Sequence, residues 1–492
     1  MRQVQEYQNF IGGRWISSAR RRLFKNVNPA DNEDILGRFQ RSDSQDVDQA
    51  VRAAKEAFPS WASTPAPKRA EILFRSAHIL EEKKEELSAV ITREMGKTLK
   101  EARADVQEAV DTAYFFAGEG RRLYGQTTPS ELKDKLCLTF RRPVGVCGLI
   151  SPWNFPLAIP SWKIYPALIC GNSAILKPAE DTPLTALLFA QILEEAGLPA
   201  GVLNVVTGFG EEAGRALVSH PDIRLVSFTG SSRTGARIAE NCGRDLRHFS
   251  LELGGKNAQI ILEDADVALA VNGALWGAFA TSGQRCTATS RIFIHEKVYP
   301  KFEKAFLLAV SKLKVGAGED PSVQMGPIIN ATQLKRIHAY VLGAKKEGAR
   351  LLCGGEADTQ GNKKKGTFYR PTVFTKVNPS MRIMREEVFG PVVCLMKVAG
   401  FQEAVRLVND SDYGLSCSVY TRDLSLAMKS IEAIEAGIIY LNSPTVGAEA
   451  HLPFGGVKKT GSGHREAGVT ALDIFSEWKT LYADASGRLQ KA

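Results

Sequence analysis

The sequence predicts an α/β protein built from two parallel-sheet units in tandem. Three observations predict it. Between residues 136 and 254, short β-prone apolar runs alternate with helical stretches, the pattern of βαβ units. A second alternating series runs from 258 to about 441. The 492 residues are 44% hydrophobic and 24% charged, a globular balance with ample material for two large cores.

The elements follow in order. Residues 44–121 are rich in Ala, Glu, Lys and Leu, with apolar positions at helical spacing, and predict helices over 46–58, 67–82, 84–95 and 98–119. Apolar runs at 136–140 and 144–150, separated by Arg-Arg-Pro, predict strands. Then come a strand at 173–176, a helix at 185–196, a strand at 202–206, a helix at 211–219, a strand at 225–228 and a helix at 234–241. Right-handed crossovers between such strands make a parallel sheet. The second unit has strands near 259–262, 291–295, 392–396 and 438–440. Strand character returns at 473–478, where the chain packs on a partner subunit or closes its own sheet.

Composition excludes several functions. The net charge is +9, but the basic runs are short (Arg20 to Arg22, Lys83 and Lys84, Lys363 to Lys365) and read as solvated faces, so no nucleic-acid role is expected. No run of 18 apolar residues exists, so no membrane association is expected. The first 15 residues lack an apolar signal core. Eight cysteines stand singly, with no CxxC pair. Neither a metal site nor a disulfide framework is expected, and a reducing, cytoplasmic setting is. There one cysteine has scope to be a nucleophile.

Three segments carry chemistry. GQRC at 283–286 places Cys286 after small and polar residues and before a strand-like run. A thiol exposed at such a turn is nucleophilic once its pKa falls or a base lies near. A buried structural cysteine is the competing reading. LELGGK at 251–256 sets Glu252 between leucines, where a raised pKa suits a general base. The competing reading is a strand-end charge met by solvent. FTGSSRTG at 228–235 follows a strand and opens a helix, offering backbone N–H groups to a phosphate. It is not GxGxxG, so the standard dinucleotide fingerprint is absent.

Taken together the motifs resemble the aldehyde dehydrogenase superfamily over nearly the whole chain. They come in the family order: SPWNFP at 151–156, LKPAE at 176–180, FTGS at 228–231, LELGGK at 251–256, GQRC at 283–286, EEVFGPV at 386–392 and LPFGGVK at 452–458. The resemblance implies an aldehyde dehydrogenase-like fold. Its Rossmann-like cofactor domain would cover 1–122 and 143–254, its catalytic domain 255–450, and an oligomerisation element 123–142 and 451–492. A homo-oligomer, dimer or tetramer, is then expected.

The resemblance also implies roles. Cys286 falls at the nucleophile position, Glu252 at the general base, Asn154 at the oxyanion donor and Lys177 at a catalytic and cofactor contact. NAD contacts fall on Ile150, Ser151, Pro152, Trp153, Glu180, Gly210, Phe228, Thr229, Gly230, Ser231, Gly235, Leu253, Glu387 and Phe389. Glu180, placed to accept the ribose hydroxyls, favours NAD over NADP, and Arg233 nearby leaves dual use open. A glutamate at 252 favours hydrolysis to a free acid over transfer to coenzyme A. The competing classes are an inactive structural member and a cofactor-independent thiol hydrolase.

The substrate reading rests on fewer residues. Arg285 directly precedes the nucleophile and suits a substrate carboxylate. PTVGAE at 444–449 and VQEAVD at 106–111 resemble the antiquitin branch, the α-aminoadipic semialdehyde dehydrogenases. There Gly447 and Ala448 would offer N–H groups to a carboxylate, and Glu108 would meet an amino group. Phe155, Trp162, Thr287 and Phe454 match the aldehyde tunnel. The residues before GQRC depart from that branch, and 2-oxoglutarate semialdehyde dehydrogenases share much of the pattern. A carboxylated semialdehyde is therefore expected, with broad-specificity or succinate-semialdehyde-type enzymes as the alternative.

Overall fold

The computed structural model describes residues 4–491. The predicted helical block forms helices Ser44–Ser63, Ala66–Glu82, Lys84–Met95 and Leu99–Glu119. Local chemistry sets their ends. Asp43 and Asp46 form a capping box at the first helix, and Thr98 and Glu101 form one at the fourth, satisfying orphan N–H groups. The third helix stops at Gly96, whose φ of +91° is left-handed. A Cβ there would lie 2.6 Å from Pro327.

The first sheet has seven strands, in the order His248–Glu252, Leu225–Thr229, Val146–Ile150, Ser173–Lys177, Leu203–Val205, Asn9–Ile11 and Arg14–Ile16. The first five pair in parallel. Chain order reverses between Val146–Ile150 and Leu225–Thr229, so a ligand crevice is expected outside their carboxyl ends. The second sheet runs Arg350–Cys353, Thr372–Thr375, Val392–Val398, Arg291–His295, Ala258–Ile261, Ser416–Tyr420 and Ile438–Leu441. Only its first pair is antiparallel. Both sheets are packed between helices, and most of their strand residues are buried.

Glu252 closes the last strand of the first sheet. Asn257, Cys286 and Leu415 stand just before strands of the second. The candidate site therefore lies where carboxyl ends of one sheet meet amino ends of the other.

The structure departs from expectation in three places. Four N-terminal strands, Asn9–Ile11, Arg14–Ile16, Leu23–Val27 and Ile35–Gln40, were not read from the sequence. They are short, and one draws its pairing from Val205, far along the chain. The helix expected at 211–219 begins as a π-turn, Gly210–Gly214, before the α-turn Arg215–Ser219. The strand expected at 473–478 is displaced. Ala471–Ile474 is a helical turn anchored by buried Leu472, Ile474 and Phe475, and the strand is Ser476–Asp484. That strand pairs antiparallel with Lys135–Pro143 of its own chain over its full length. Residues between 451 and 475 do not join this small sheet; Phe454 and Glu466 pair with each other beside the candidate site.

Candidate active site

The loop before Cys286 is held in an uncommon shape. Thr281, Ser282 and Gly283 have φ of +52°, +56° and +67°, and two side-chain-bearing residues in the left-handed region cost about 1–2 kcal/mol each. Several bonds hold them there. Thr281 N donates to Glu101 Oε1 (2.6 Å), and Ser282 Oγ to Gly326 O (2.7 Å). The Gln284 amide donates to Pro327 O (3.2 Å) and accepts from Ile329 N (2.9 Å). Gly283 is required, because a Cβ would lie 2.2 Å from Gly390 O.

Cys286 then emerges half-buried on the wall of a cavity of about 800 Å³, which Glu252 also lines. Burial, with Glu387 and Glu252 nearby, pushes its thiol up to about 12. The N–H groups of Cys286 and Thr287 oppose that. A nucleophilic role for this thiol would need a base, not a low intrinsic pKa. Asn154 is buried beside the loop and its Nδ2 donates to Gln284 O at 3.1 Å.

Glu252 is 4% exposed, and its Oε1 has no hydrogen-bond partner among the described residues. Burial first, then the charge of Glu466, holds its carboxyl well above the usual range; Lys163 and Arg465 pull the other way. Lys163 and Glu466 form a buried ion pair joined by Ser227, whose Oγ accepts from Lys163 Nζ at 2.9 Å. Glu466 Oε2 is also without a partner. Sequence reasoning missed this pair. The two residues are 303 apart, and no local signal joins them.

Most of the residues expected to hold a cofactor stand at or just beyond the carboxyl ends of the first sheet's strands. Ile150 ends its strand, with Ser151, Pro152 and Trp153 in the turn beyond. Lys177 is buried and pairs with Glu180 Oε2 at 3.2 Å, while the Glu180 side chain is 38% exposed. Ser231 caps helix Ser232–Arg244, accepting from Thr234 N at 3.3 Å. Gly230 lies against the Phe228 ring, and buried Gly235 against Leu253, where a Cβ would clash at 2.5 Å. Thr229 and Ser232 carry buried hydroxyls without partners among the described residues. Gly210 opens the π-turn. Glu387 accepts from Gly255 N at 3.0 Å, and Phe389, at φ +58°, sets its ring edge-on to Trp153. Ser232 Oγ, unpartnered among the described residues at a helix start, and the part-exposed Glu180 carboxylate fit the phosphate and ribose of a dinucleotide. Among the described residues no His, Cys, Asp and Glu group suits a metal ion.

The cavity also gathers the residues expected to meet substrate. Glu108, Phe155, Trp162, Arg285, Thr287, Gly447, Ala448 and Phe454 all line it. Arg285 lies 5.4 Å from the Phe155 ring and 5.3 Å from that of Trp276. Its nearest carboxylate is Glu101, at 3.5 Å, which is already bonded by Thr98 and Thr281. Lys97 and Asp105 form a fully buried pair behind Phe155. Glu108 is pushed up to about 8 by burial and by Asp105, against the pull of Lys97 and Arg285. The buried Trp162 Nε1 has no partner among the described residues.

Comparison with known proteins places these features. The model of the aldehyde dehydrogenase family matches residues 15–481. The alpha-ketoglutaric semialdehyde dehydrogenase of Bacillus subtilis is 41% identical, covering 97% of this chain and 98% of its own. Human retinaldehyde dehydrogenase 3 is also 41% identical, over 96% of this chain and 92% of its own. The crystal structure of betaine aldehyde dehydrogenase from Staphylococcus aureus in complex with NAD+ superposes with a TM-score of 0.96 at 36% identity, covering 98% and 96% of the two chains. Equal identity to relatives named for such different aldehydes means that overall similarity does not choose a substrate.

Proposed function

The chain belongs to the aldehyde dehydrogenase family, and from that premise we propose that it oxidises 2-oxoglutarate semialdehyde, or a close carboxylated semialdehyde, to the dicarboxylic acid with NAD. The observation that carries the substrate reading is Arg285. Its guanidinium lies in the cavity wall one residue from Cys286; Nε donates to Thr281 Oγ1 at 2.8 Å, while Nη2 reaches Glu101 Oε1 only at 3.5 Å. That leaves the planar fork able to take a substrate carboxylate. The Bacillus relative named for this semialdehyde supports the same choice. An α-aminoadipate semialdehyde would set its ammonium against Glu108. With that carboxyl pushed up to about 8, most of it is protonated at neutral pH, which favours the oxo acid.

In the reaction Cys286 Sγ attacks the aldehyde carbon as Glu252 accepts the thiol proton. The oxyanion of the resulting thiohemiacetal is met by Asn154 Nδ2 and the Cys286 N–H. NAD, when bound, supplies acceptance of the hydride that leaves this carbon. After passing the thiol proton to solvent, Glu252 deprotonates water to hydrolyse the Cys286 thioester and returns that proton to the leaving thiolate, releasing the acid. Lys177 and Glu180 would hold the adenosine ribose, Ser231 and the helix start the pyrophosphate, and Glu387 and Phe389 the nicotinamide end. Glu180 favours NAD, and NADP competes less well.

The assignment of 1–122 and 143–254 to cofactor binding, 255–450 to catalysis, and 123–142 with the strand Ser476–Asp484 to assembly belongs to the same reading, residues 451–475 standing instead with the catalytic cavity. Exposed Trp478, Leu481, Tyr482 and Leu136 on the small sheet support a homo-oligomer, dimer or tetramer. No helix is long and apolar enough to cross a membrane, and eight unpaired thiols suit the cytoplasm. Arg285→Ala tests the substrate reading. KM for 2-oxoglutarate semialdehyde should rise about tenfold or more, the worth of a charge-assisted pair, with KM for pentanal little changed. An equal rise for both would overturn it.

A further inference from the structure

Stabilising an oxyanion requires donors fixed before charge develops, and a peptide N–H in a loop is fixed only if its neighbouring planes are. Three successive carbonyls around Cys286 are each held. Gln284 O accepts from Asn154 Nδ2 (3.1 Å). Arg285 O accepts from Ala288 N (3.1 Å). Cys286 O accepts from Asn257 Nδ2 (2.6 Å). The plane carrying the Cys286 N–H is the middle one of the three.

Asn257 is built for its place. It is 3% exposed. Its second amide proton goes to Ala288 O (3.1 Å), and its Oδ1 accepts from Ser416 N (3.0 Å). The amide can point only one way, since a flip would set Oδ1 against two carbonyls and Nδ2 against an N–H. It stands directly before strand Ala258–Ile261 and is tied to the start of Ser416–Tyr420, so it is anchored to the rigid sheet. Gly255 makes the approach possible, because a Cβ there would lie 2.6 Å from Cys286 O and 3.0 Å from the Asn257 amide.

We propose that Asn257 is a positioning residue for the nucleophile: by holding the Cys286 carbonyl from the sheet, it fixes the Cys286 N–H that meets the oxyanion. The inference rests on the reading of Cys286 as nucleophile. Asn257 touches neither substrate nor cofactor in this role; it acts through the backbone of Cys286.

Asn257→Asp is the near-isosteric test. It keeps the acceptor for Ser416 N and replaces the two donors by an oxygen. At pH 8 kcat should fall about a hundredfold, the scale of losing one oxyanion donor. KM and the Kd for NAD should stay within about twofold. Cofactor-free cleavage of 4-nitrophenyl acetate, which passes through the same oxyanion, should fall by the same factor. As pH drops toward 6 the ratio of variant to wild-type rate should rise, because the protonated carboxyl again donates one bond to the Cys286 carbonyl. Asn257→Ser, a short single donor, should lie between wild type and Asn257→Asp, and it serves where the aspartate variant does not fold. Folded variants that keep kcat, or that lose NAD affinity instead, would overturn the inference. Cys286→Ala separates the two readings. If it stays active the nucleophile reading itself fails; if it is dead and the Asn257 variants are not, only the positioning role fails.

Discussion

Two buried charge clusters flank the cavity, and they differ in one respect. On the side of helix Leu99–Glu119, Lys97 and Asp105 pair at 2.9 Å with neither side chain exposed. Asp105 also takes Ala158 N at 2.8 Å, and Glu101 binds Thr98 and Thr281. On the other side two buried carboxyl groups, Glu252 and Glu466, share one buried ammonium, Lys163. There Glu252 Oε1 and Glu466 Oε2 have no partners among the described residues. A saturated buried cluster specifies shape, and an unsaturated one is costly to keep. The open valences lie at the carboxylate assigned to move protons. The closed cluster lies behind the Phe155 ring and bonds Thr281 in the loop before Cys286.

The sharpest way to break that contrast is Glu252→Gln. Turnover should fall about 10²–10⁴-fold, the usual worth of a general base. Stability should not fall. A carboxyl with a raised folded pKa binds more protons folded than unfolded, so its contribution is full at low pH and is lost as pH rises through the folded value. Removing it should therefore leave the protein as stable or more so at alkaline pH, as urea unfolding at pH 6 and 9 would show. A folded variant with normal turnover would end the assignment. Asp105→Asn should do the reverse. It leaves Lys97 as an uncompensated buried charge, at a cost of about 3–5 kcal/mol, with kcat per folded molecule close to wild type. Normal stability with lost turnover would mean that both clusters are chemical.

The same contrast explains what could be read from the sequence. The helices near 46–58, 67–82, 84–95 and 98–119 were legible because their apolar spacing and caps are local. GQRC, LELGGK and the other motifs were legible because a short run carries each role. Asn257, Glu101, Lys163 and Glu466 were not. Each gets its meaning from a partner across the fold, such as Thr281 for Glu101, 180 positions away, or Glu466 for Lys163. Of the N-terminal strands, Asn9–Ile11 takes its place in the sheet from Val205, far along the chain, while Leu23–Val27 and Ile35–Gln40 pair locally and are short. The tail strand was misplaced because its limits come from pairing with Lys135–Pro143, while the apolar run read as strand is a helical turn packed into the core.

Glu108 lies on the boundary between the clusters, and it yields the smallest effect. It lines the cavity on the saturated side, facing Asp105 and Asp111 on its own helix and Lys97 and Arg285 across from it. Burial and Asp105 push it up to about 8, so it is uncharged when a carboxylated substrate arrives at neutral pH. Above pH 8 it ionises and repels that substrate. KM for 2-oxoglutarate semialdehyde should then be flat below pH 7 and rise about fivefold by pH 9.5, the scale of about 1 kcal/mol for two charges a few ångströms apart near water. Glu108→Gln should hold KM near its low-pH value throughout. KM for pentanal should not change with pH through this range in either protein, which separates repulsion at Glu108 from titration of Glu252 or Cys286. A rise that persists in Glu108→Gln would assign the titration elsewhere. A rise in KM at neutral pH on mutation would mean that the carboxyl donates a bond to the substrate, drawing Glu108 into the reactive side of the cavity.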